Sequence, residues 1–366
     1  MRSKRTPPTS ASNPRPSPEP LSPPAKRPTS GRVVVLLLVL VIAIALGIRL
    51  WHDHQQASGP PRDLAEAERR ANEQPADLQA QLDWGSMLLT GGRVQEAAQV
   101  FSRASQLAPQ DARPYVWLGM AAVKQGQSEQ AKSYFAQSLR LAPEDADVWR
   151  ALAELQQHDH QVREALASYE HVTQLHSNDA FAWRQVGAMD MELELRARAQ
   201  EALQRALKLE PGDKRTLLRL GALDVSLGQL PEAKPLFEQV LAQDPADPEA
   251  LLGAAEVGLQ LDPSPEGLQR AQQQIEQAIR KQPTGKAHLL LGRIALQQRA
   301  PDRAVAEFKQ VLAMDKTQRL AYNYLSQAYA ALGKGDLARK AAADYQDAEA
   351  RSKANQATQN GEGVGH

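Results

Sequence analysis

Residues 112–145 read ARPYVWLGMAAVKQGQSEQAKSYFAQSLRLAPED, and the chain returns to this pattern about every 34 residues. Ala97 comes back as Ala131, Ala165, Ala199 and Ala233. Phe101 comes back as Phe135, Tyr169, Leu203 and Phe237, and Gly85 as Gly119, Ala153, Gly187 and Gly221. Pro109 is followed by Pro143, Ser177 (a departure), Pro211 and Pro245. A four-residue insertion near Leu261–Gly267 breaks the spacing, and the phase resumes at Ala271, Ile275, Ala278 and Pro283. Two further units hold Gly292, Ala304 and Phe308, then Tyr322, Leu325 and Ala338. Eight units result, at 78–111, 112–145, 146–179, 180–213, 214–247, 248–284, 285–318 and 319–345.

A fixed period of this length predicts stacked pairs of helices. Small residues such as Gly85, Ala97 and Ala104 let the two helices of a pair touch, while Trp84, Leu88 and Phe101 fill the space between them. Each pair leaves an apolar face that only the next pair can bury. Pro109 and its equivalents precede the next first helix, where a missing N–H costs little. Asp111, Asp145, Asp179 and Asp213 recur just before that helix and are expected to cap it. An irregular helical bundle would not explain a constant period.

The large residue, Leu, Gly, Ala, Phe and closing Pro, read in the second unit at Tyr115, Leu118, Gly119, Ala131, Phe135 and Pro143, resemble the tetratricopeptide repeat family. The resemblance implies an all-α, right-handed superhelical solenoid of about eight hairpins. It also implies that the first helix of each unit lines a concave groove through its second, fifth, sixth, ninth, twelfth and thirteenth positions. On this chain those positions gather Arg113, Trp117, Met120, Arg150, Phe181, Arg184, Gln185, Met191, Arg215 and Arg219. Arginine and aromatics together are the usual makings of binding hot spots. Some family members grip a peptide's terminal carboxylate with basic and Asn residues drawn from three successive units. Here those positions read Arg150 and Glu154, then Gln185, then Arg215 and Arg219. Glu154 departs from the pattern and would repel an anion unless it pairs with Arg150. A looser groove for an acidic or extended segment, and a plain solvated helix face, stand beside the clamp as alternatives.

Outward from the array, residues 1–32 are rich in Pro and Ser and carry seven Lys and Arg against Glu19 alone, a net +6. The remaining residues hold 36 basic and 42 acidic side chains, a net −6. The tail is expected to be disordered, basic and cytoplasmic. Val33–Leu50, within a transmembrane helix placed at 33–51, is apolar until Arg49 and spans roughly 27 Å as a helix, near the hydrocarbon thickness. A cleaved signal peptide competes, since Ala43-Ile44-Ala45 resembles a cleavage site, but the 32-residue leader is long for a signal peptide. The positive-inside rule then keeps the N-terminus of this single-pass protein cytoplasmic and puts the repeats across the membrane, which in a Gram-negative bacterium means an inner-membrane protein with periplasmic repeats. Residues 52–77 read as a linker and either a capping helix or a spacer, and 346–366 as a flexible tail.

The chain contains no cysteine, which excludes disulfides and thiolate metal sites. No phosphate loop, HExxH or Gly-x-Ser-x-Gly motif appears, so no enzyme activity, catalytic residue or cofactor is expected. His158-Asp159-His160 and His52-Asp53-His54 lack the helical spacing of a preformed metal site and read as polar turns. No basic stripe marks a nucleic-acid partner. The expected partner is a protein or peptide in the groove, with the membrane engaged through Val33–Leu50. The resemblance to anchored tetratricopeptide proteins of bacterial envelopes implies a scaffold for assembly of an envelope system, namely surface polysaccharide export, pilus or secretion, or cytochrome c maturation. A chaperone-like carrier of unfolded exported clients is the alternative.

Overall fold

The computed structural model describes residues 63–361, and every regular element in it is a helix, 17 in all among the described residues. A short helix α1 (Leu64–Glu73) precedes eight hairpins. These are α2 (Leu78–Thr90) with α3 (Val94–Leu107), α4 (Arg113–Lys124) with α5 (Ser128–Leu141), and α6 (Ala146–His158) with α7 (Val162–Leu175). Next come α8 (Ala180–Glu192) with α9 (Arg196–Leu209), and α10 (Lys214–Ser226) with α11 (Leu230–Gln243). The last three are α12 (Pro248–Leu261) with α13 (Pro265–Lys281), α14 (Gly285–Gln297) with α15 (Pro301–Met314), and α16 (Arg319–Ala331) with α17 (Gly335–Gly361).

Recurring local chemistry starts and stops most of these helices. Aspartates at the head of the first helix accept its free N–H groups: Asp145 from Asp147 and Val148, Asp179 from Ala182, Asp213 from Thr216 and Asp247 from Ala250. Asp111 sits one residue further out, because Ala112 takes the cap position ahead of Pro114, and still accepts from the Arg113 N–H at 2.9 Å. Seven of the eight first helices end in a left-handed residue, and α12 does not, its cap Asp262 having φ −135°. Gly92, Gly126, Gly228 and Gly333 have φ of 79°, 72°, 73° and 70°, and His160, Glu194 and Arg299 hold the same turn at 60°, 59° and 58°. In hairpin 2 the Gln127 N–H then reaches back to Ala122 O at 2.9 Å, closing the helix end in a six-to-one bond. Second helices follow this turn so directly that α3, α5, α7, α9 and α11 start with no side-chain cap.

Packing within a hairpin depends on a glycine meeting a large side chain. A Cβ added at Gly85 would lie 2.4 Å from the Phe101 ring, and one at Gly187 would lie 2.7 Å from Leu203 Cγ. Ala97, Ala131, Ala165, Ala199, Ala233 and Ala304 are fully buried, as are Phe101, Tyr169, Leu203 and Phe308. Between hairpins, several successive first helices touch one another (α2 with α4, α8 with α10, α10 with α12), while no comparable contact joins successive second helices among the described residues. The first helices therefore form the tighter, inner wall of the stack.

The insertion lengthens a helix rather than bulging a loop. α13 has 17 residues where α11 and α15 have 14, and Ser264 caps it by accepting from the Gly267 N–H at 3.0 Å. A cleft of about 310 Å³, lined by Leu241, Val257 and Leu261, opens beside it.

Two expectations are corrected. Among the described residues no helix is long and apolar enough to cross a membrane, so the fold class that the described residues give is an all-α solenoid of helical hairpins, with no transmembrane helix among them. Each described helix keeps a polar side; even the longest, α17, carries Asp336, Arg339, Asp347 and Glu349. The same finding overturns the single-pass inner-membrane address with periplasmic repeats. The tail at 1–32 and the segment Val33–Leu50 lie outside the described residues. At the other end, α17 continues to Gly361, past the flexible tail expected from Gln346. That stretch holds four Ala and three Gln, which favour helix.

Candidate functional site

The residues expected in the groove sit on α4, α6, α8 and α10, and the structure sorts them into three groups. Trp117 and Met120 belong to the core. They are 6% and 3% exposed, and the Trp117 ring stacks on Phe101 with centroids 5.4 Å apart. Position six of hairpin 2 is thus used to cover the preceding hairpin. Met191 is half-buried against Ala199, Leu203 and Leu220.

Arg113, Arg150 and Arg184 tie the stack together. Arg113 folds back on Asp111, with Nη2 to Oδ2 at 2.6 Å, and donates to Gln79 Oε1 of the previous hairpin at 3.2 Å. Arg150 pairs with Asp179, the cap of α8. Arg184, only 7% exposed, donates from Nη1 to Oδ2 of Asp213, the cap of α10, at 2.9 Å. Burial pushes the Asp213 carboxyl up, and donors from Thr216 and Arg184 outweigh it, so its pKa falls below the ordinary value. Phe181 lies between the two guanidinium groups, 5.8 Å from Arg150 Cζ and 5.2 Å from Arg184 Cζ, with Tyr169 at its edge. Reading from sequence missed these partners. The recoverable signal is an interval: Arg150 to Asp179 and Arg184 to Asp213 are both 29 residues, the interval that also joins Lys132 to Gln161 and Gln200 to Gln229.

The third group remains available. In hairpin 5 the cap Asp247 is taken by Lys214, so the arginines of α10 are not needed there. Arg215 is exposed and Arg219 half-buried, and neither pairs with a carboxylate among the described residues. Burial, with Arg184 and Arg215 close by, lowers the Arg219 pKa from its usual value, while Glu192 and Glu249 act in the other direction. A half-buried guanidinium crowded by like charges gains from any anion that arrives. Gln185 connects the two ends of the wall. Its Nε2 donates to Gln157 Oε1 at 3.1 Å and to the Tyr169 hydroxyl at 3.4 Å, leaving its own carbonyl oxygen open. Glu154 is half-buried on α6, and burial, only partly opposed by Arg150, raises its carboxyl to about 7. The paired histidines of the hairpin 3 turn hold no metal geometry; among the described residues no group of three or more His, Asp or Glu converges on one point.

Models of the tetratricopeptide repeat match residues 88–155 and 192–255, and a second set of the same description matches 62–112 and 266–318. No curated protein matches the sequence. Among solved structures, the C-terminal part of a repeat-containing protein from Cytophaga hutchinsonii is similar at a TM-score of 0.51 and 16% identity, over 67% of this chain and 99% of that one. YrrB, a repeat protein with an unusual peptide-binding site, is similar at a TM-score of 0.45 and 23% identity, over 51% and 94%. PilF of Pseudomonas aeruginosa is similar at 0.47 and 22%, over 59% and 97%.

Proposed function

Because the chain belongs to the tetratricopeptide repeat family, whose arrays are scaffolds for protein–protein contact, we propose that the inner wall of hairpins 3 to 5 binds an extended, acidic polypeptide segment. Arg215 and Arg219 would receive its carboxylates. The observation that carries this reading is the pair of α10 guanidinium groups without carboxylate partners among the described residues, while Arg150 and Arg184 on the same wall are consumed by Asp179 and Asp213. A charge-assisted contact of this kind contributes roughly 1.5–3 kcal/mol. Gln185 offers a side-chain carbonyl acceptor beside it, and the half-buried Phe181 gives an apolar neighbour. Such a groove has a specific polarity, cationic at hairpin 5 and neutral to acidic at hairpin 3. It departs from a three-unit carboxylate clamp, because Arg150 is already engaged within the fold.

The test is the double variant Arg215→Glu with Arg219→Glu. Partner capture should fall at least about tenfold, while the melting transition stays within roughly 0.5 kcal/mol of the parent, as expected for exposed or half-exposed changes. Unchanged capture would remove the groove assignment. Recovery of one stoichiometric partner fits a scaffold; many weak partners would favour a carrier of unfolded clients instead.

A further inference from the structure

Glu154 occupies position nine of α6, where Met120, Ala188 and Ala222 stand in hairpins 2, 4 and 5. The fold therefore asks for no carboxyl there. Its side chain is half-buried and accepts no hydrogen bond from any described residue. Every neighbour that could have neutralised it is already engaged. Arg150, one turn back on the same helix, is turned to Asp179. From α7, the buried Tyr169 hydroxyl donates to Gln157 Oε1 at 3.2 Å. From α8, the Gln185 amide is used by Gln157 and Tyr169, and Phe181 is neutral. Among the described residues, no charge on α5 or α8 acts on Glu154.

Resting on the groove reading above, we infer that Glu154 is a proton-gated contact for the bound segment. Neutral, it donates a hydrogen bond to a carbonyl or carboxylate oxygen of the acidic segment. Ionised, it repels that segment and lowers its affinity. A protonated carboxyl is close in shape and hydrogen-bonding capacity to an amide, so the neutral form presents the donor that the ionised form cannot. Burial places the change of state at about pH 7, within reach of small shifts in acidity. At the position of Glu154 the next two hairpins carry only Ala188 and Ala222, so no long side chain at that position stands between Glu154 and the arginines of α10, and one extended segment is proposed to meet both.

The probe is a fluorescein-labelled octaglutamate, titrated by anisotropy onto the full chain at pH 6 and pH 8 and constant ionic strength. If only the neutral form binds, the competent fraction falls about tenfold between these values, and the apparent Kd should rise about tenfold with it. Glu154→Gln should bind with the same Kd at both values, near the parent's at pH 6. A Glu154→Gln variant that keeps the parent's pH dependence overturns the inference. So does parent binding that is flat with pH yet abolished by Arg215→Glu with Arg219→Glu. Absence of probe binding at either pH overturns the groove reading and the gate together. Independently, the Glu154 carboxyl carbon should titrate near pH 7 by NMR; a midpoint in the ordinary glutamate range would contradict the proposal without any ligand.

Discussion

Hairpins 4 and 5 are built on the same repeat but place their charges differently. In hairpin 4, Arg184 stands at position five, is buried, and locks Asp213 at the head of the next hairpin. In hairpin 5, position five is Leu218, which is buried among apolar neighbours, and the arginines have moved to positions two and six as Arg215 and Arg219. Lys214 takes over the cap Asp247. A shift of one position along a helix thus converts an arginine from a brace between hairpins into a group that can meet a partner. The same pair of hairpins differs twice more. Asp224 in hairpin 5 accepts from Gln200 Nε2 at 2.8 Å, whereas both Asp190 oxygens in hairpin 4 are buried without a hydrogen bond. The residue matching Gln200 one hairpin earlier is Leu166, which has no donor to offer. And the left-handed turn is Gly228 in one and Glu194 in the other.

The largest expected effect tests what the two hairpins share. Gly187→Leu must drive atoms into Leu203 Cγ and Ala199 O, which a Cβ alone would approach to 2.7 and 3.2 Å. A loss of about 3 kcal/mol is expected in thermal melts. An unchanged melting temperature would mean that the small-residue contact is not what sets the spacing of the pair.

Next comes the brace. Arg184→Ala leaves Asp213 short of a donor at a half-buried helix cap, and should cost about 2 kcal/mol. Arg219→Ala removes a guanidinium with no carboxylate partner and should leave stability within about 0.5 kcal/mol of the parent. Equal losses in the two variants would erase the distinction between hairpins 4 and 5.

Smaller effects follow from the buried acids and the turn. Burial raises the Asp190 pKa, with Arg198 opposing, so its folded-state value lies above its unfolded one. Stability from such a group is present at low pH and is lost as pH rises through the folded value. Asp190→Asn should therefore stabilise the fold at pH 7 and do so less at pH 4. Asp224→Asn should gain less, because Gln200 already serves that carboxylate; chemical denaturation at the two pH values separates them. Glu194→Gly relieves a left-handed backbone at φ 59° and should add roughly 0.5–1 kcal/mol, whereas Gly228→Ala should lose a similar amount. If Glu194→Gly destabilises, the side chain holds that turn in some other way.

The fold was legible because its causes are local and recur. Glycine against phenylalanine and aspartate before a helix repeat at a spacing visible in one sequence, whereas the left-handed turn falls on His160, Glu194 and Arg299 as readily as on glycine. The groove was less so. Position in a helix says which way a side chain sets out, not what it meets. Trp117 was expected on the inner wall, yet Phe101 of the previous hairpin draws it into the core. Arg150 and Arg184 were expected to face a ligand, yet each finds a cap aspartate 29 residues on. Arg215 and Arg219 differ: Asp244, 29 residues after Arg215, lies against Lys214 instead, and the residue 29 after Arg219 is Pro248. The apolar run before the array was read as an anchor from hydropathy alone, and no described helix can take that part.

The division between bracing and binding arginines is tested most directly by measuring melting and octaglutamate affinity side by side for Arg184→Ala and Arg219→Ala. A crossed result is predicted: Arg184→Ala melts early but, at temperatures where it stays folded, binds nearly as the parent does, while Arg219→Ala melts normally and binds at least about fivefold more weakly, near 1 kcal/mol. If Arg219→Ala keeps full affinity, or if Arg184→Ala alone loses it without losing stability, the two arginines do not have the roles assigned to them.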